Sequence, residues 1–352
     1  LVVAVAAALA LFACGGAGFD PQSKVDSVRM FGVRADKPYA RPGETVTLEV
    51  LATDARRDKV RPLKITWIPV VCMNPREDLY YLCFLAAAGA GVDAGAASLI
   101  PPFPLDGGAL PGAGGLDAGA ASPGENPLDR IPRNIDLGAF LPQGPTFSFR
   151  MPDDAIQPRQ GSPPYGLAIV FNIACAGQVR IAERSGASPQ QVPIQCTDEA
   201  GNPLPPSDYV IGINRVYSYA DRTNANPIVE KVTLDGADVD LAKGITVDRC
   251  VASKRADCKA VKIDVRVPDA SWEPNPNEVS ASQREQIWVT YYSDLGDFQD
   301  EARLLFDTRA GRVSESGVEY RPPYAPGEGT IWAVVHDNRV GAAFVVIPLH
   351  IK

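Results

Sequence analysis

The chain has 352 residues, of which 45% are apolar and 22% charged, and its formal net charge is -8. It is long enough to bury two cores, while 32 prolines and 31 glycines exclude long helices and suit strands joined by turns. The acidic balance argues against nucleic acid or an anionic membrane surface as the partner; solubility explains it.

In chain order, the stretch 1–19 carries no charged residue, and positions 1–13 are almost all Leu, Val and Ala, the composition of a secretory h-region. An uncleaved membrane anchor is the alternative, because a run of about 20 uncharged residues spans a bilayer. Gly15, Gly16 and Gly18 would make a poor end for such a helix. Leu11-Phe12-Ala13-Cys14 resembles the lipobox of bacterial lipoproteins, in which Leu, two small residues and Cys mark the cleavage site; Phe12 departs from the usual residue there. The resemblance implies a signal peptide over 1–13, lipidation of Cys14 and a tether over 14–24. Gly15 after the Cys implies sorting to the outer membrane, held by more than the single acyl chain that binds only marginally.

Cysteine arithmetic agrees. Seven cysteines leave one over in an exported protein, and if Cys14 carries lipid the other six fall into sequence-local pairs: Cys72 with Cys83, Cys175 with Cys196, Cys250 with Cys258. Local pairing is one of about 15 connectivities open to six cysteines. With no C-x-x-C and only His336 and His350, zinc is a poor alternative. Disulfides imply an oxidising compartment.

Period-two alternation then runs along the chain. "ETVTLEVLATD" lines up Val46, Leu48, Val50 and Ala52; "PLKITWIPVV" lines up Leu63, Ile65 and Trp67; "PTFSFRMP" lines up Phe147, Phe149 and Met151. "YGLAIVFNIAC" does so with Tyr165, Leu167, Ile169, Phe171, Ile173 and Cys175, and "YVIGINRVYSY" ends this first set. A second set comprises "NPIVEKVTLDG", "KAVKIDVRVPD", "EQIWVTYYSD", "GTIWAVVHDN" and "GAAFVVIPLHI", the last two joined by a hairpin at "HDNRVG". Within the first set, 86–124 is rich in Ala, Gly, Pro and Asp and echoes itself as "GVDAGAAS" and "GLDAGAAS". It has too little apolar bulk to offset its ordering entropy and reads as a disordered spacer inserted in a loop. "GAGVDA" inside it fits a dinucleotide-binding pattern but no helix-forming sequence follows.

Near the C-terminus, Val318, Tyr320, Pro322, Pro323, Pro326, Gly327 and Asp337 resemble the last three strands of bacterial immunoglobulin-like or PKD-like modules. The resemblance implies an all-β protein of two tandem immunoglobulin-like β-sandwiches, 25–221 and 226–352, and a spacer, adhesive or carrier role. Fold alone does not choose among these.

Chemistry-bearing motifs are sparse. There is no G-x-S-x-G, no H-E-x-x-H and no Walker lysine loop, and both histidines read as surface residues. Asp294, Asp297, Asp300 and Glu301 in "SDLGDFQDE" offer hard oxygen ligands for calcium without EF-hand spacing. Trp67, Trp288 and Trp332 lie in predicted strands and are expected to pack between sheets; Trp272, in a proline-rich loop, is the one tryptophan placed for ligand contact. The expectation is a non-catalytic outer-envelope lipoprotein, without cofactor, that engages envelope or surface proteins or copies of itself. A carbohydrate- or calcium-binding accessory module is the runner-up, and a hydrolase with an unrecognised carboxylate site the third.

Overall fold

In the computed structural model, residues 21–87, 98–100, 135–159, 162–182, 192–276 and 283–352 are described. Half of the described residues are strand and 7% helix. The signal and lipobox residues including Cys14 lie outside the described residues, as does most of the 86–124 insertion with both copies of its repeat except Ser98.

The first sandwich packs a sheet of β1 (Val28–Ala35), β3 (Thr45–Asp54) and β6 (Thr146–Arg150) on a second sheet. That sheet runs in the order β2 (Tyr39–Ala40), β11 (Tyr209–Ser218), β8 (Ser162–Cys175), β4 (Lys64–Met73), β5 (Ser98–Ile100), with β7 (Gln157–Arg159) on β8. In the second sandwich one sheet is ordered β13 (Ala237–Asp238), β12 (Lys231–Leu234), β15 (Val261–Arg266), β20 (Val318–Arg321), β17 (Asp297–Phe298). The other is β14 (Ile245–Val247), β22 (Ala342–Ile351), β21 (Gly327–Asp337), β16 (Ile287–Ser293), β18 (Ala302–Asp307), β19 (Gly311–Arg312). Both follow immunoglobulin order, with strands A, B and E facing G, F and C. They share a further detail: a short segment crosses to the opposite sheet and runs parallel to the domain's last strand, β2 beside β11 and β14 beside β22.

Alternation explains the cores. Val46, Leu48 and Val50 of β3 share one sheet face with their neighbours Phe147 and Phe149 of β6 and with Met151, and all pack against Trp67 of the opposite sheet, whose indole stacks on Phe147 at 5.2 Å and donates to the Gly144 carbonyl at 3.0 Å. In the second sandwich Ile263, Val265, Val289, Tyr291, Val318 and Tyr320 do the same.

β8 departs from the simple pattern, because residues 167–176 are buried on both faces. Ala168 and Val170 face the inter-sheet core, while Leu167, Ile169 and Phe171, on the face the sequence assigns to a core, point outward under an added layer. That layer contains Tyr80, Cys83 and Phe84 around the start of α1 (Leu82–Ala87), and a hairpin of β9 (Gln178–Ile181) and β10 (Ile194–Thr197). Disulfides Cys72–Cys83 and Cys175–Cys196 fasten each piece to the sheet it covers, and Cys250–Cys258 closes a loop of the second sandwich. All three are the sequence-local pairs.

Candidate functional site

The most elaborate constellation lies where the two sandwiches meet. In β1, Met30 pairs with Ala52 and Gly32 with Leu51, so Phe31 is an extra residue in a bulge. The bulge shifts the inward positions of β1 from Val28 and Met30 to Val33 and Ala35, and Phe31, next after inward Met30, points out of its own sandwich. Phe31 stacks on Trp332 at 4.8 Å and meets Tyr292 at 4.8 Å, among Val25, Leu51, Val334 and Phe344. Gly32 lets the backbone approach: a Cβ there would sit 3.3 Å from the Phe344 ring. Trp332 therefore packs between domains, and Trp288 on an outer face against His336 at 5.3 Å; of the three strand tryptophans, only Trp67 packs between sheets.

A strap adds to the junction. Ser23–Val25 runs parallel to the end of β16, with the Val25 N–H donating to the Ser293 carbonyl (2.9 Å) and the Ser293 N–H to the Ser23 carbonyl (2.8 Å). The residues that lead into the first sandwich are thereby hydrogen-bonded to the second.

On the linker side lies a buried ionic network. The β21–β22 hairpin presents Arg339, 3% exposed, whose guanidinium donates to fully buried Glu285 (2.9 and 2.6 Å), to Glu273 (2.5 Å) and to the Thr223 carbonyl (3.1 Å). Asp337 shapes the turn by accepting from the N–H groups of Arg339 and Gly341, each at 2.7 Å, and from the Asn224 amide at 3.0 Å. Gly341 is required here, since a Cβ would lie 2.0 Å from the Asp337 carboxylate. Burial pushes Glu285 up to about 7 against the pull of Arg339, and burial likewise raises Asp337. One more side chain joins the domains: Asn226 donates to the Ala35 carbonyl (2.7 Å) and accepts from the Ala342 N–H (2.9 Å). Chemically the network is a clamp, because the Arg339 guanidinium and the Asp337 carboxylate are spent on groups of the hairpin, the linker and the second sandwich.

The sequence-predicted sites fare differently. Trp272 is half-buried against the second core, its ring stacked on Phe306 (5.7 Å), its indole N–H on the Glu285 carbonyl (2.8 Å), and the Arg284 guanidinium 4.8 Å from its centre. It borders an open groove with Asp269, Arg284 and Arg312. The four acidic residues are not brought to one point. Asp294 accepts from the Thr330 N–H (2.7 Å), Asp297 pairs with Arg255, Asp300 with Arg303, and Glu301 accepts from the Gln22 N–H (2.7 Å). Among the described residues no group of three or more His, Cys, Asp or Glu is arranged to hold a metal. His336 belongs to β21, where burial lowers its basicity, and His350 pairs with Glu328.

Phe31, the strap and the Arg339 network are absent from the sequence-based expectations. One signal was present: "IWAVV" at 331–335 and "LAIVF" at 167–171 are continuous apolar runs, the mark of strands covered on both faces.

No protein-family model and no curated protein sequence matches the chain. Among the solved structures it is similar to are the following three. One is dimeric latent PorU from Porphyromonas gingivalis, at 11% identity over 94% of this chain and 24% of that one, TM-score 0.20. Another is the N-terminal Ig1-2 module of Drosophila receptor protein tyrosine phosphatase DLAR, at 9% over 93% and 99%, TM-score 0.21. The third is the native conformation of E. coli alpha-2-macroglobulin, at 10% over 94% and 17%, TM-score 0.22. The chain spans about a quarter of the length of PorU. The immunoglobulin-like assignment rests on the strand order itself.

Proposed function

We propose that this chain is a non-catalytic lipoprotein of the bacterial outer envelope, anchored through Cys14, whose joined sandwiches present faces and loops to other envelope proteins or to copies of itself. The observation that carries this is the junction. Phe31 with Trp332, the strap on β16 and Asn226 tie the sandwiches at separate points, and the Arg339 network fastens the linker to the second sandwich, as a rigid spacer or platform requires and a pair of freely hinged modules does not. Cysteine use supports the anchor: six of the seven cysteines are consumed in three disulfides, and Cys14 is the odd one by count. Three disulfides also suit an exported protein.

Cross-linking in intact native cells, followed by purification of the chain and mass spectrometry, tests this. A defined set of envelope proteins, or the chain joined to itself, is the expected result. Recovery of the chain alone, or with only glycan attached, overturns the structural reading.

A further inference from the structure

The strap decides which part of the molecule an anchor at Cys14 would bring to a membrane. Because Ser23–Val25 pairs with β16, the chain enters at the second sandwich although the first sandwich follows it in sequence. Pro21 shares a hollow with Arg255, Gly296, Asp297, Pro323 and Tyr324. Six residues lie between it and Cys14, and the seven extended steps from one to the other reach roughly 25 Å.

The surface beside this entry point is unusual in an acidic chain. The loop closed by Cys250–Cys258 carries Val251, 86% exposed, and beside the hollow Tyr324 is 49% exposed. Around them stand Arg249, Lys254 and Lys259, all exposed, against Asp248 and Asp257. The loop is held rigidly: its disulfide is supplemented by Arg255, which pairs with Asp297 and donates to the carbonyls of Arg321 (2.8 Å) and Pro322, and by the Cys250 N–H on the Pro323 carbonyl (2.8 Å). An exposed aliphatic tip, a tyrosine and flanking lysines match the polar–apolar boundary of a bilayer. There an aromatic ring sits at headgroup depth and ammonium groups reach phosphate.

Resting on the reading that Cys14 is lipidated, we infer that the Cys250–Cys258 loop and Tyr324 form a membrane-contact surface that rests on the phospholipid headgroup layer beside the anchor. The contact is local and does not depend on the net charge of the chain, which is negative. It would orient the joined sandwiches on the bilayer instead of leaving them to swing from a flexible tether.

The test uses the full lipidated chain in vesicles of phosphatidylethanolamine with phosphatidylglycerol, with intact mass and flotation recorded on the same sample. Acylation of individual lysines by a water-soluble amine reagent is then compared with the rates in detergent. Lys254 and Lys259 are expected to react about fivefold more slowly on vesicles, with Lys64 of the first sandwich unchanged. Val251→Asp combined with Tyr324→Asp, both surface positions, should restore the solution rates while the chain still floats with the vesicles. Unchanged rates at Lys254 and Lys259 on a chain that carries its lipid and floats would overturn this surface and leave the anchor standing. A chain without lipid that fails to float would overturn both. Protection seen in native envelopes but not in vesicles would assign the loop to a protein partner and also overturn the membrane contact.

Discussion

Phe31 of the first sandwich stacks on Trp332 of the second with ring centroids 4.8 Å apart, and a one-residue bulge in β1 lets Phe31 point outward while Val33 and Ala35 beyond it still face their own core. A strand edge thereby becomes an inter-domain contact, and two modules that could hinge are held against each other.

Phe31→Ala should therefore do more than destabilise. Truncating a buried Phe costs about 3 to 5 kcal/mol in a core, and the lower end suits a contact between domains. Calorimetry should show one cooperative transition in the parent and two separated ones in the variant. A single transition shifted down would mean that Phe31 stabilises its own sandwich without coupling the two.

Arg339 and Glu285 form a buried pair, so removing one partner strands the other. Arg339→Ala is expected to cost about 3 to 5 kcal/mol by leaving an uncompensated carboxylate, and Glu285→Leu combined with it should recover part of that loss. Denaturant midpoints of the single and double variants measure this. A double variant as unstable as the sum of its singles would show that the pair is not coupled.

The same carboxyl gives a pH dependence of determined sign. Burial raises Glu285 to about 7, above the value it has when exposed, so its contribution is complete at low pH and is lost as pH rises through about 7. Between about pH 5 and about pH 8 the parent should lose more thermal stability than Glu285→Gln, which cannot titrate. Equal losses in both would show that Glu285 keeps its charge throughout.

How much of this could be read from residues alone depends on distance in the chain. Trp67, Phe147 and Ile263 were legible as core because period-two alternation is a local property, and the disulfides because each joins cysteines close in sequence. Phe31 was not, since a bulge is one inserted residue that leaves no mark on a short strand. Nor was the Arg339 network, whose partners Glu285, Glu273 and Asn224 lie far back in sequence and converge only when the hairpin folds over the linker. Strands of two to four residues, such as β2, β13 and β14, are too short to show any period. Trp272 was singled out correctly as a loop tryptophan, yet its environment, a ring on Phe306 with its N–H occupied, appears only in three dimensions.

Disulfide Cys250–Cys258 closes a short loop, and its replacement by serines should cost roughly 2 to 3 kcal/mol through the entropy regained by the unfolded chain. Because the loop lies at the edge of the second sandwich, the junction should survive. Melting of the variant should remain a single transition at lower temperature, and separated transitions would place the loop in the inter-domain coupling.

The most direct test of the account as a whole is the mass of the N-terminal peptide of the chain purified from its native membrane. The expected peptide begins at Cys14 and carries thioether-linked diacylglycerol and an amide-linked acyl chain. A free thiol at Cys14, or a peptide that still holds residues before it, would contradict the anchor and with it the placement of the second sandwich at the membrane.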